Sequence, residues 1–207
     1  MYVAISGTIG AGKSTLTGLI AQRYNLRPVL EAVDENPYLS DFYADMRRWA
    51  FHSQIFFLAT RLRQHLDQVN PEERVVQDRT VDEDAAVFAR ALFDDGHMDA
   101  RDFAVYHGMY DAVRRSLRRP DLLVYLRAGL PTVRRHIALR GRSFEHDVSD
   151  AYLERIAANY ERWITSYDAS PVLVLDVDRL DVVRREDDRR TVFELLERNG
   201  LEPLAVR

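Results

Sequence analysis

A single lysine held in a run of glycines is the first residue of this chain whose type and spacing could do chemistry. Of the 29 lysines and arginines in 207 residues, only residue 13 is lysine. It closes Gly7-Thr8-Ile9-Gly10-Ala11-Gly12-Lys13-Ser14, which fits G-x-x-x-x-G-K-[ST] and runs on into Thr15. The glycines let successive N–H groups point inward, and together with the start of a helix these groups cradle phosphate oxygens. An ammonium is a compact point charge that fits such a loop, whereas a planar guanidinium is too wide. Lys13 is expected to reach the β- and γ-phosphates of a nucleoside triphosphate, and Ser14 to offer its hydroxyl to Mg²⁺.

Two acidic positions suit the other half of a phosphoryl transfer. Glu31 falls where a second strand should end, and ligands of open α/β sheets lie off the carboxyl ends of strands. A hydroxyl acceptor must lose a proton during transfer, and a carboxylate can take it. Asp78, in Val75-Val76-Gln77-Asp78-Arg79-Thr80, is placed to hold Mg²⁺ or to be that base itself. Arg79 can contact the reacting hydroxyl and the transferred phosphoryl group, and orient Glu31. A solvated carboxylate and a structural Asp–Arg pair would account for the same residues without chemistry.

Positioning these side chains requires strands. Apolar runs at 2–6, 28–31, 74–78, 121–126 and 171–176 lack polar alternation, as strands covered on both faces do. Helical patterns lie between and after them, at 13–24, 47–69, 81–93, 101–117, 131–140, 151–166 and 189–198. Strands alternating with helices predict an α/β fold with a parallel sheet and right-handed crossovers, in one domain spanning 1–207.

Composition removes several function classes. A net charge of −4 argues against a nucleic-acid polymer or an anionic membrane as partner. With no cysteine, disulfides and cysteine-ligated metals are excluded. The first residues carry no basic leader and no apolar run reaches membrane-spanning length, so a cytoplasmic protein is expected. The N-K-x-D base-reading motif of GTPase switches is impossible, since Lys13 is the only lysine. His65, His97, His107 and His146 show no metal-ligand spacing and are expected at the surface or in turns.

The chain resembles bacterial deoxyribonucleoside kinases, related to deoxycytidine and deoxyguanosine kinases. The resemblance rests on the glycine loop, on Glu31 through Asn36-Pro37-Tyr38-Leu39, and on Arg48-Trp49-Ala50-Phe51-His52-Ser53-Gln54. It continues through Asp78-Arg79-Thr80 and Leu139-Arg140-Gly141-Arg142 with Glu145 beyond. It implies a P-loop kinase fold, a five-stranded parallel sheet flanked by helices on both faces, usually in a homodimer. It also implies transfer of the γ-phosphoryl group of ATP, with Mg²⁺, to the 5′-hydroxyl of a deoxynucleoside.

By the same resemblance, Glu31 touches the 5′-hydroxyl and Asp78 stands beside the catalytic Arg79; either carboxylate could take the proton. Tyr43 and Glu145 hold the sugar 3′-hydroxyl, Gln54, Arg61 and Asp84 read the base, and Arg140 and Arg142 belong to a lid at about 136–146. Two positions depart from the pattern. His136 stands where many relatives have arginine, with Arg135 beside it, and Ala32 stands where several have proline.

The base readers favour particular bases. Gln54 can pair bidentately with a base edge. An ionised Asp84 only accepts hydrogen bonds, which suits the exocyclic amino groups of adenine and cytosine and leaves it unpaired against O6 of guanine. Deoxyadenosine and deoxycytidine are therefore expected ahead of deoxyguanosine, although Arg61 could donate to O6 or N7. The rivals are a deoxyguanosine kinase, a thymidylate-type monophosphate kinase and a nucleotide-binding regulator without catalysis.

Overall fold

Strand β1 (Tyr2–Gly7) is buried along its whole length, which places it in the middle of the sheet. The computed structural model describes residues 1–31, 36–142 and 148–203. Parallel strands order as β2-β3-β1-β4-β5, with β2 at Arg27–Val29, β3 at Val75–Asp78, β4 at Leu122–Arg127 and β5 at Val172–Asp176. Continuous apolar runs go to the centre, where β3 is wholly buried. Leu173 and Leu175 of edge strand β5 point inward, while Val174 between them is exposed. This is the parallel α/β sheet that the sequence predicts.

Register brings the carboxyl ends together. Ile5 pairs with Asp78 and Gly7 with Leu126, so the glycine loop after β1 and the Asp-Arg pair after β3 lie on one edge. The chain passes from β1 out to β2 and later crosses β1 to reach β4, which makes that edge a switch point. One apolar layer joins Val3 and Ile5 to Leu16, Ile20 and Tyr24 of α1 (Lys13–Tyr24). On the other side Tyr2, Ala4 and Leu123 pack with Val69 and Trp163.

Several elements differ from expectation, each for a local reason. The second strand stops at Val29, so Glu31 lies in the loop beyond it and not at a strand end; Leu30 is exposed. Helix α2 (Leu39–Ala44) is too short to show a periodic pattern. Asn36 starts that turn by accepting from the Tyr38 N–H at 2.9 Å. Helix α3 (Met46–Gln64) continues into a π-helical turn at His65–Val69. The stretch 81–94 is α4 (Val81–Glu83), a π segment (Asp84–Ala89) and α5 (Arg90–Asp94). Beyond it lie α6 (Ala100–Val113), α7 (Leu130–Arg140), α8 (Asp150–Ser166) and α9 (Glu186–Arg198).

His65 is buried, contrary to the surface position expected of it, and meets the Tyr2 ring edge-on at 5.7 Å. His97 and His107 are half-buried, and His146 lies outside the described residues. Burial lowers the pKa of His65. Unfolding therefore takes up a proton below the free imidazole value, so this contribution to stability is complete above about pH 6.5 and fades as pH falls beneath it. His65→Gln is expected to reduce the acid sensitivity of the unfolding free energy, measured by urea titration, by up to about 1.4 kcal/mol per pH unit below 6.5. An identical pH dependence in variant and parent would refute this.

Candidate active site

The glycine loop turns from β1 into α1 with little room to spare. A Cβ on Gly7 would lie 2.8 Å from the Leu126 carbonyl oxygen, and one on Gly10 3.0 Å from that of Val133. Gly10 also has a left-handed φ of 77°. Lys13 is 6% exposed and donates to the Thr8 carbonyl at 3.0 Å. Burial, then repulsion from Arg79, lowers its pKa to about 8 against the pull of Asp78 and Glu31. Ser14 Oγ donates to Asp78 Oδ2 at 2.5 Å. The second oxygen of Asp78 is buried without a hydrogen-bond partner.

Facing the loop is a cluster of charges. Arg61, from α3, bridges the carboxylates of Asp84 and Glu31. Arg79 pairs with the same Glu31 oxygen through Nε at 3.0 Å. Burial raises the pKa of Glu31, but Arg79, Arg61 and Lys13 outweigh it and hold the carboxyl at about 2. Asp84 goes the other way: burial lifts it to about 6 despite Arg61 and Arg79. Asp84 opens the π segment, and such widened turns recur where a helix must re-aim a functional side chain. Gln54 is 3% exposed and its Oε1 has no hydrogen-bond partner.

One cavity of about 900 Å³ joins these groups. It is lined by Glu31, Tyr43, Gln54, Phe57, Arg61, Arg79, Asp84 and Phe88. It is also lined by the loop from Ile9 through Thr15, by Arg135, His136 and Arg140, and by residues from Val177 to Arg185. Gly7, Thr8, Asp78 and Arg142 do not line it; the first two support the loop from behind, and Asp78 sits beneath Ser14. Glu145 and Ala32 lie outside the described residues.

His136 Nδ1 lies 2.7 Å from the Gly10 carbonyl oxygen, so a proton on Nδ1 ties α7 to the glycine loop; Arg135 beside it also lines the cavity. The segment after β5 was not anticipated from residue types, though lying past a strand's carboxyl end was the available signal. Glu83, fully buried beside Arg79, was also missed; Thr80-x-x-Glu83 is the capping-box spacing that marks it.

A sequence model of the family described as "Deoxynucleoside kinase" matches residues 3–199. The deoxyadenosine/deoxycytidine kinase of Bacillus subtilis is 37% identical over 194 residues, covering 93% of this chain and 89% of that protein. The deoxyguanosine kinase of Lactobacillus acidophilus is 35% identical, covering 93% and 87%. Among solved structures, deoxyadenosine kinase from M. mycoides with dCMP and dCDP bound superposes with a TM-score of 0.85 at 34% identity, over 96% of this chain and 100% of that one. Matches over nearly the whole length, on a fold whose glycine loop shares one cavity with Glu31 and Asp84, make this chain a phosphotransferase belonging to the deoxynucleoside kinase family.

Proposed function

We propose that the chain moves the γ-phosphoryl group of ATP onto the 5′-hydroxyl of deoxyadenosine or deoxycytidine, in nucleoside salvage. The observation that carries this reading is one cavity lined by both Lys13 and Glu31, the latter gripped by Arg79 and Arg61. Lys13 and the amides of the loop hold the triphosphate tail, and Arg140 adds charge from α7. Glu31 receives the hydroxyl proton. Asp78 is the weaker candidate for that task, because it lies off the cavity and is engaged by Ser14.

Ser14 and Asp78 suit a bound Mg²⁺, since a carboxylate oxygen left without a partner next to a hydroxyl is a hard oxygen donor set. When bound, that ion would neutralise charge on the terminal phosphates. Phe57, Phe88 and Gln54 line the same cavity, the first two are assigned to pack against the base, and Gln54 offers it an unused acceptor. Tyr43 also lines the cavity, and the sugar 3′-hydroxyl is assigned to it on the family resemblance. Whole-chain similarity cannot choose the base, because relatives named for deoxyadenosine and for deoxyguanosine are similarly close. The preference rests on Asp84.

A homodimer is part of this reading. Val105 and Met109, one helical turn apart on α6, are exposed apolar residues suited to a partner copy. No helix among the described residues is long and apolar enough to cross a membrane, which is compatible with the cytoplasmic setting of an ATP-consuming enzyme.

Phosphate transfer to the four deoxynucleosides and their 5′-monophosphates, compared by kcat/KM, tests the proposal. Deoxyadenosine and deoxycytidine are expected to lead, with negligible turnover of monophosphates. Preference for a monophosphate would turn the assignment toward a thymidylate-type kinase, and a strong preference for deoxyguanosine would reverse the role given to Asp84.

A further inference from the structure

Beneath the reacting groups lies a carboxylate to which the transfer itself gives no task. Glu83 is wholly buried, and both of its oxygens are engaged. Oε1 accepts from the Thr80 N–H at 2.5 Å and from Ser6 Oγ at 3.1 Å. Oε2 accepts from the Tyr160 hydroxyl at 2.5 Å. That hydroxyl in turn accepts from Arg79 Nη1 at 3.0 Å, and Glu83 Oε2 itself stands 4.0 Å from Nη1. Arg79, Tyr160 and Glu83 thus form a relay, ending on a charge that water does not reach.

The rest of the relay is fixed as well. The Tyr160 ring stacks on Tyr125 at 5.7 Å and meets Phe88 edge-on. The Arg79 guanidinium lies over Phe88, 4.4 Å from the ring centroid. Arg79 also has a left-handed φ of 68°, a conformation unfavourable for a side chain of this kind and held only where its surroundings over-determine it. Two features do so here: the Arg79 N–H donates to the Ile5 carbonyl at 3.0 Å, and the capping box secures the next residue. The backbone therefore aims Arg79 into the cavity, and the relay decides where along that aim the guanidinium stops.

We propose that Glu83, acting through the Tyr160 hydroxyl, is a positioning residue that holds Arg79 with its Nε on Glu31 and its Nη1 drawn back into the protein. Without the buried charge, the Tyr160 hydroxyl and the Phe88 ring hold Nη1 less firmly, and the guanidinium shifts onto the carboxylate that must accept a proton. The site then binds both substrates and performs the transfer poorly. This inference rests on the catalytic reading of Glu31 and Arg79 given above.

The test is a double-mutant cycle. Glu83→Gln, nearly isosteric, is expected to lower kcat by about 10–100-fold, the loss typical of a small misplacement of reacting groups, with little change in KM for either substrate. Tyr160→Phe should lower kcat in the same direction, and serves if Glu83→Gln does not fold. In an Arg79→Ala background, with residual transfer measured from radiolabelled ATP, either change should add no further loss, since the residue it positions is gone. Losses in kcat that multiply in that background would overturn the inference, as would wild-type kcat in both single variants. Arg79→Ala and Glu31→Gln are the controls. If those two retain full turnover, the catalytic reading fails; if they lose it while the Glu83 and Tyr160 variants do not, only the relay fails.

Discussion

Glu31→Gln is expected to lower kcat by about 10²–10⁴-fold, the usual contribution of a positioned general base, while ATP binding stays within a few-fold of the parent. The shape of the side chain is kept and its capacity to take a proton is lost. The geometry explains why the effect should fall on kcat. Glu31 is held by Arg61 and Arg79 at a proton affinity near pH 2, so it is ionised and fixed before any substrate arrives. A carboxylate so strongly stabilised is a weak base in the resting site. Its work must come late, when charge moves from the acceptor oxygen onto the phosphoryl group that Lys13 and Arg140 face. Pre-steady-state transfer, with nucleotide affinity measured separately by calorimetry, divides the two effects. Unreduced transfer by Glu31→Gln with nucleoside bound would remove Glu31 from the chemistry and leave Asp78 to be tried.

The second large effect is expected at Asp84. Asp84→Asn keeps an oxygen for Arg61 but replaces a charged acceptor with a group that both accepts and donates. kcat/KM for deoxyadenosine and deoxycytidine should fall by about 10–100-fold, the loss on leaving a buried polar group mispaired. Deoxyguanosine should fall less or improve, because a donor now faces O6. The parent should show a milder form of the same change with pH. Asp84 titrates near 6 in the folded chain; above that value it is ionised and accepts, and below it the carboxyl carries a proton. KM for deoxyadenosine is thus expected to rise as pH drops through 6, and the Asn variant to lose that dependence. An unchanged base ranking in the variant would show that Asp84 does not read the base.

What could be read from residue order follows the reach of each interaction. Lys13, Ser14 and the glycines act within one turn of chain, so their spacing carries their meaning. Asp78-Arg79 was likewise visible as a pair after an apolar run. Glu31 was chosen as the end of a strand; that strand stops at Val29, and Glu31 reaches the cavity from the loop beyond it. The bridge from Arg61 to both Glu31 and Asp84 could not be read, since it joins α3, a loop and the π segment through space. Periodicity predicted one helix over 81–93 and could not reveal the widened turns that present Asp84. His65 looked like a surface residue because imidazole is polar; the π turn that continues α3 carries it inward against Tyr2. Glu83 had a local signature in its capping box, yet its partnership with Tyr160 on α8 depends on tertiary packing.

The solitary lysine has a practical use. Apart from the Met1 amino group, Lys13 carries the chain's only primary amine, and its proton leaves near pH 8. Acylating reagents therefore have two targets on the folded protein, one of them in the glycine loop proposed to hold the triphosphate tail. Peptide mass spectrometry after mild acylation would report occupancy of the donor site directly: a tag on residue 13 in the free protein, and protection of that residue once nucleotide covers it.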